Sequence, residues 1–334
     1  MIFVPEESRS HEVGPEINWN ESMVLICYDR DSDLSVYFRI AGRPNQRVAE
    51  QWVFAAAPTG ERFRHVDVAM PYKDGYRRPL GFSAGGLHWD YVGDNVIHLT
   101  ADYPELQADL RYRDFYAPQN GWQFIGHEHD YGLGQYTAHY ECSGSVEGEV
   151  TFCGRTYRIT AGLAHRDHSW GPRRDETRVA RWVIGTIGPD FSHSLVSHID
   201  PNGKWVTGGW IVRNGMVEHA RQVDIVAYQN SDGVSARGGQ AAAVLESGER
   251  VTIGLETRAS FISFNGLGDS RACEGVSRSF IGGRPGMACF TIANGATGVG
   301  AEVKAICTEY ATMADGLTHA PPRPELIGIQ ASNI

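Results

Sequence analysis

No apolar run in this chain of 334 residues approaches the roughly 20 residues that span a bilayer as a helix. The opening residues, Met1-Ile2-Phe3-Val4-Pro5-Glu6-Glu7, lack the basic start and long apolar stretch of a secretory signal. No transmembrane segment is expected, and a cytoplasmic location is. Cysteine is sparse: Cys27, Cys142, Cys153, Cys273, Cys289 and Cys307 are scattered without a Cys-x-x-Cys pair. That pattern fits buried thiols in a reducing compartment better than a disulfide framework or a thiolate zinc site, although Cys142 and Cys153 are spaced to face each other across a hairpin. Positive charge is short as well. A formal net charge of −10 and a pI near 5.7 argue against a nucleic-acid partner, since no basic cluster is long enough to override them. Helical periodicity is also missing: no window of about a dozen residues repeats apolar groups at three and four without Gly or Pro intruding. Pro104–Ala108 and Thr308–Met313 are the short helix candidates.

What the chain does have is turns. Five Asn-Gly dipeptides, at Asn120, Asn202, Asn214, Asn265 and Asn294, separate β-prone runs, and Asn-Gly suits a two-residue hairpin because both central residues need positive φ. Gly93-Asp94, Gly154 and Gly248 mark further hairpins, and Met23–Cys27, Ser35–Ile40 and Gln51–Ala57 read as early strands. With 39 glycines and almost no helix, the pattern predicts an all-β protein built of barrel or sandwich halves. The length suits two packed β-domains. The division expected is residues 1–175 for an N-terminal β-domain and 176–334 for a C-terminal barrel-like domain ending, after Gly316, in an irregular tail.

The densest chemistry is His165-Arg166-Asp167-His168-Ser169-Trp170-Gly171-Pro172-Arg173-Arg174. On a strand, His165, Asp167 and Ser169 share one face and Arg166, His168 and Trp170 the other, with Gly171-Pro172 ending the strand. Two readings stay open. Asp167 is either an ionised partner of Arg166, Arg173 or Arg181 in a structural network, or an acid desolvated beside Trp170 that donates a proton to a carbon–carbon double bond or a leaving hydroxyl. A nearby arginine argues against the acid.

Other candidates carry less. Gly81-Phe82-Ser83-Ala84-Gly85 matches the serine-hydrolase elbow, but glycines and an alternating run follow where that elbow needs a helix. His127-Glu128-His129 places two imidazoles on one strand face, with His139, His193 or His198 as a third ligand, but no glutamate follows at cupin spacing. No metal and no cofactor is assigned. Trp52, Trp89, Trp122, Trp170, Trp182, Trp205 and Trp210 lie on candidate strands. Each suits ordinary core packing, and as a set they suit an apolar ligand pocket. Trp122 and Trp182 are the candidates for substrate contact, and Trp182, Ile184 and Thr186 share one strand face.

The motif His-Arg-Asp-His-Ser-Trp-Gly-Pro-Arg, preceded by His139-Tyr140-Glu141 and the glycine-punctuated run Ser143–Tyr157, resembles the AttH-like family over residues 139–182. That family includes carotenoid hydratases (hydroxyneurosporene synthases) and some Diels-Alderase-type cyclases. The resemblance implies a lipocalin-like, two-domain all-β fold. It also implies a cofactor-independent lyase or isomerase acting as hydratase, dehydratase or cyclase on a terpenoid-like or polycyclic hydrophobic molecule. In the carotenoid hydratases an aspartate with tryptophan and tyrosine side chains is thought to handle the proton. The matching residues are Asp167, Trp170, Trp182, Tyr140 and Glu141, with His165 as a catalytic and His168 as a substrate-binding candidate beside them. An acidic chain without a membrane-binding face suits a substrate smaller than a carotenoid. The alternatives are a carrier of a hydrophobic metabolite that catalyses nothing, and a pericyclase that works by holding a polyene folded. A homodimer is compatible with the sequence.

Overall fold

The computed structural model describes residues 6–78, 80–121, 138–172, 180–199, 205–229, 235–264 and 271–294. Among these there is no α-helix, only two short 3₁₀ turns at Glu6–Ser8 and Pro44–Gln46. No helix among them is long and apolar enough to cross a membrane. The all-β expectation holds, and the chain forms two compact units.

The first unit is an open antiparallel sheet of twelve strands: β1 (Trp19–Asp29), β2 (Leu34–Arg43), β3 (Val48–Ala56), β4 (Arg62–Pro71), β5 (Arg77–Arg78), β6 (Gly81–Ala84), β7 (Leu87–Gly93), β8 (Val96–Tyr103), β9 (Leu106–Asp114), β10 (Gln119–Asn120), β11 (Ala138–Phe152) and β12 (Arg155–Pro172). Its order runs β4-β3-β2-β1-β12-β11-β9-β8-β7-β6-β5, with β10 on β11. Strand β12, which carries the dense motif, therefore lies in the middle, paired to β1 from Trp19↔Pro172 to Tyr28↔Leu163 and to β11 from Ala138↔Trp170 to Phe152↔Arg155. One face of the sheet holds a core that includes Met23, Leu25, Phe38, Trp89, Leu110 and Phe152, all almost wholly buried.

Turn chemistry sets the registers. Asp29 Oδ2 accepts from the Ser32 N–H and hydroxyl at 2.9 and 2.6 Å, closing the β1–β2 turn. Cys153-Gly154 takes positive φ at both positions, 52° and 73°, and makes a two-residue hairpin between Phe152 and Arg155. That turn corrects the Cys142–Cys153 expectation. Cys142 is buried opposite Arg166, whereas Cys153 is exposed at the hairpin tip, and both are free thiols. The expected helix at Pro104–Ala108 is also absent: Pro104 and Glu105 are the turn between Tyr103 and Leu106, and Leu106–Asp114 alternates buried and exposed as β9. Gly81-Phe82-Ser83-Ala84 is strand β6, followed by a turn and β7, so the elbow geometry is not formed.

Gly144 on β11 allows a close approach. A Cβ there would overlap the Arg113 carbonyl oxygen and the Tyr112 ring, and that ring lies in place to donate from its hydroxyl to the Cys142 carbonyl at 2.9 Å. Gly144→Ala is expected to lower stability by about 1–3 kcal/mol, the usual range for overpacking. Urea unfolding should show this as a lower midpoint with an unchanged slope.

The second unit is a closed antiparallel barrel of eight strands: β13 (Ala180–Gly188), β14 (Phe191–Ile199), β15 (Trp205–Arg213), β16 (Met216–Gln229), β17 (Ala236–Leu245), β18 (Arg250–Phe264), β19 (Arg271–Ile281) and β20 (Arg284–Asn294). Strand β13 pairs back to β20 from Ala180↔Ala293 to Thr186↔Met287, which leaves no free edge. Asn214-Gly215 forms the β15–β16 hairpin with φ of 49° and 79°, as the dipeptide predicts. Val183, Leu195, Ile211, Val223, Ile253 and Phe290 belong to its core. Trp182, Ile184 and Thr186 share one face as expected. It is the outer one, because Val183 and its partner Leu195 occupy the interior.

Candidate active site

Two-residue alternation along β12 splits the motif between two chemically different faces. On the face away from the apolar core stand His165, Asp167 and Ser169. Register brings Ser143, Glu141 and His139 of β11 directly opposite them. Val24 and Ile26 of β1 flank the other side. All of these side chains are buried, Glu141 to 1% and Asp167 to 9% residual exposure. His139 Nε2 lies 3.4 Å from Glu141 Oε1 and 3.9 Å from Asp167 Oδ2, and His165 Nε2 lies 3.6 Å from Glu141 Oε2. These spacings are ion-pair distances, longer than closed hydrogen bonds. Four groups able to carry a proton thus converge on one patch of the sheet.

His165 is oriented from behind by a 2.9 Å hydrogen bond between its Nδ1 and Ser143 Oγ. Burial, reinforced by the neighbouring Arg166 charge and opposed by Asp114, pushes its pKa down to about 3. A neutral imidazole can take or pass a proton, whereas an imidazolium here would be an unsolvated charge. This displacement has a consequence for stability. In the unfolded chain histidine protonates near pH 6.5, so His165's contribution is complete above that pH and is lost as pH falls toward about 3. The loss is at most about 1.4 kcal/mol per pH unit. His168 is displaced in the same direction by its burial. Urea midpoints measured between pH of about 7 and 4 are expected to fall steadily, and His165→Asn, which can still bond Ser143, should flatten that fall.

The arginine argument against the acid is answered in part by geometry. Arg166 points to the opposite face, where its Nε and Nη2 donate to Asp114 Oδ1 and Oδ2, both at 2.7 Å, with each side chain 1% exposed. Arg181 donates to the Ala180 and Ala293 carbonyls at 2.7 and 3.1 Å. Arg173 lies outside the described residues. Two strands away on the Asp167 face, Arg39 donates to Glu50 at 2.6 Å with its guanidinium 4.8 Å over the Trp52 ring.

The other face of β12 gathers the remaining motif residues. Trp170 does not sit beside Asp167 but stacks on His11 at 3.4 Å between ring centroids and on Tyr140 at 5.6 Å. Odd and even strand positions cannot share a side, so the aromatic half of the expected site is separated from its acid. His168 lies with Trp170 and approaches Glu21 Oε1 through Nε2 at 3.1 Å. Burial alone would raise the Glu21 pKa. Hydrogen bonds from His11 and His168, with the charges of His168 and Arg77, outweigh it and hold the carboxyl below its ordinary range. Trp182, on the barrel, donates from Nε1 to Ser194 Oγ at 3.1 Å. Trp122, His127 and His129 lie outside the described residues.

Sequence reasoning named His139 only as a metal ligand and passed over Ser143. The signal for both was available, since His139, Glu141 and Ser143 alternate on one strand. The expected apolar pocket has no counterpart in the groove of about 310 Å³ across β9, β11 and β12. Asp109, Arg111, Glu147, Glu149 and Arg158 line it, a charged surface unsuited to an apolar ligand.

A family model described as "Domain of unknown function (DUF7064)" matches residues 4–296. No curated protein matches the chain significantly. Among solved structures, an AttH-type protein from Nitrosomonas europaea is similar at 12% identity and a TM-score of 0.61, over 88% of this chain and 98% of that one. CghA, crystallised with Sch210972, is similar at 12% identity and a TM-score of 0.57, over 83% of this chain and 87% of its own. Kievitone hydratase from Nectria haematococca is similar at 12% identity and a TM-score of 0.58, over 87% and 92%. The resemblance read from residues 139–182 is borne out as a shared fold; at this identity the likeness carries the fold alone.

Proposed function

We propose that this chain, which belongs to the DUF7064 family, is a cofactor-independent lyase or isomerase that hydrates, dehydrates or cyclises a terpenoid-like or polycyclic hydrophobic small molecule. The observation that carries this is the opposition of Glu141 and Asp167 on neighbouring strands, buried, with His139 and His165 on the same face. In the proposed mechanism this pair holds one proton, since opposed buried carboxylates repel each other when both are ionised. That proton is the one available for transfer. In a hydration, Asp167 delivers it to an alkene carbon, the adjacent carbon becomes cationic, and water adds there. His139 or Glu141 takes the proton that the added water sheds, and passing it back to Asp167 restores the starting state. Val24 and Ile26 supply an apolar flank for the substrate beside Asp167 and His165. The name of kievitone hydratase states a hydration for a protein of the same fold, which supports the reading.

A carrier without catalysis is the second reading. It is favoured by the Arg39–Glu50 pair, which shows that charge on this face also serves structure. Native mass spectrometry of protein purified without added ligand, followed by incubation with the compound released, tests the proposal. A neutral polycyclic or terpenoid alkene that the protein converts supports it. A bound compound returned unchanged, with no turnover of related alkenes or alcohols, overturns it.

A further inference from the structure

On the face of β12 away from Asp167, three donors converge that the proposed chemistry does not use. Glu21 Oε1 lies 2.9 Å from His11 Nδ1 and 3.1 Å from His168 Nε2, and it accepts from the His11 backbone N–H at 2.9 Å. The three side-chain donor atoms lie within 4.8 Å of one another. The Glu21 and His168 side chains are fully buried, while that of His11 is 18% exposed.

Counting protons on His168 shows what this arrangement needs. Its Nδ1 lies 2.8 Å from the Glu7 carbonyl oxygen, which can only accept, so Nδ1 carries a proton. A neutral ring then aims the bare lone pair of Nε2 at a carboxylate oxygen 3.1 Å away. A hydrogen bond from a protonated ring to the Glu21 carboxylate closes that contact, and so does a cation held between the two atoms. A metal ion would serve as that cation, and it would draw on a third donor, His11 Nδ1, which lies 2.9 Å from the same carboxylate oxygen. The two separations from Glu21 Oε1, 2.9 and 3.1 Å, are close to the roughly 3.3 Å edge of a tetrahedron with metal–ligand bonds of about 2.0–2.1 Å. The bond from His168 Nδ1–H to a backbone carbonyl is the outer-shell support that fixes a metal-binding imidazole.

We infer that His11, Glu21 and His168 bind one divalent transition-metal ion of the zinc type, which ties the segment before β1 to the centre of the sheet. Two imidazoles and one carboxylate suit zinc or cobalt better than calcium or magnesium, which prefer all-oxygen sets. Arg77 Nε, 3.5 Å from Glu21, takes the side of Oε2 and leaves Oε1 to the ion, its charge lowering the affinity. The sequence gives no hint of the set, because His11 and Glu21 are separated from His168 by most of the first unit. The inference is independent of the proposed function, since Asp167 faces the other way.

The test uses the full-length, tag-free protein, stripped with a chelator and titrated with Co²⁺ and Zn²⁺. One Co²⁺ per chain with the intense visible bands of a low-coordinate site is expected, and a rise in melting temperature with Zn²⁺. His11→Phe keeps a ring on Trp170 but removes the ligand. It should weaken binding by more than the roughly 10- to 100-fold that loss of an outer-shell partner costs. Glu21→Gln should do the same, and His98→Ala, at an exposed His98–Asp109 pair, should leave binding unchanged. A wild-type protein with no saturable uptake, or uptake that survives His11→Phe unaltered, overturns the inference.

Discussion

Asp167→Asn is expected to lower turnover by about two to four orders of magnitude, the usual loss when a general acid is removed, with little change in affinity for the apolar ligand. Asparagine keeps the shape and loses only the transferable proton. Asp167 lies 3.9 Å from His139 and stands opposite Glu141, so in the proposed mechanism its loss as an acid breaks the relay at its delivering end. Arg166 is committed to Asp114 on the other face, so it is not left without a partner. If Asp167 were instead a clamp, the same substitution would act on stability, on the order of 3 kcal/mol for a buried pair that loses one member. Activity, ligand affinity and melting temperature measured on the one variant separate the two. A destabilised protein with full specific activity would eliminate the catalytic role.

Asp114→Asn should be the most destabilising single substitution in the first unit that leaves side-chain volume unchanged. The Arg166 guanidinium is buried, and both carboxylate oxygens of Asp114 receive its fork at 2.7 Å. An amide cannot accept both bonds and carries no charge, so a buried cation is left uncompensated, at a cost of about 3–5 kcal/mol. For a unit of this size that is a fall in melting temperature of roughly 10 °C. The double variant Asp114→Leu with Arg166→Met removes both charges together and should recover most of the loss, because buried ion pairs are replaceable by apolar groups of similar volume. A single variant as stable as the wild type would show that the pair contributes nothing to folding.

The legible parts of the fold were those with local causes. Asn214-Gly215 made its hairpin because two consecutive residues must take positive φ, which few other dipeptides tolerate. Strand β9 announces itself by alternation, with one face in water. Strand β1 does not: every one of its residues is buried, Asn20, Glu21 and Ser22 included, so polarity there does not mark a solvent face. The same limit applies to the site. Period two correctly placed His165 and Asp167 together, and the segment His139-Tyr140-Glu141 was singled out. Setting Trp170 beside Asp167 ignored that same period. What brings Glu141 opposite Asp167 is the register of β11 on β12, and register is fixed by a hairpin some ten residues away with a bulge at Val146/Gly148. The meeting of His11 and Glu21 with His168 depends on β1 closing against β12, a contact across most of the first unit that no local pattern encodes.

Turnover in deuterium oxide tests the acid role of Asp167 most directly. Protonation of an alkene by Asp167 places one solvent-derived hydrogen on carbon in the hydrated or cyclised product, and a dehydratase run in reverse does the same. The expected result is one non-exchangeable deuterium per product molecule from the wild type, with product formation lost in Asp167→Asn. Product formed at the normal rate without deuterium on carbon would contradict the account and leave a pericyclase that transfers no proton.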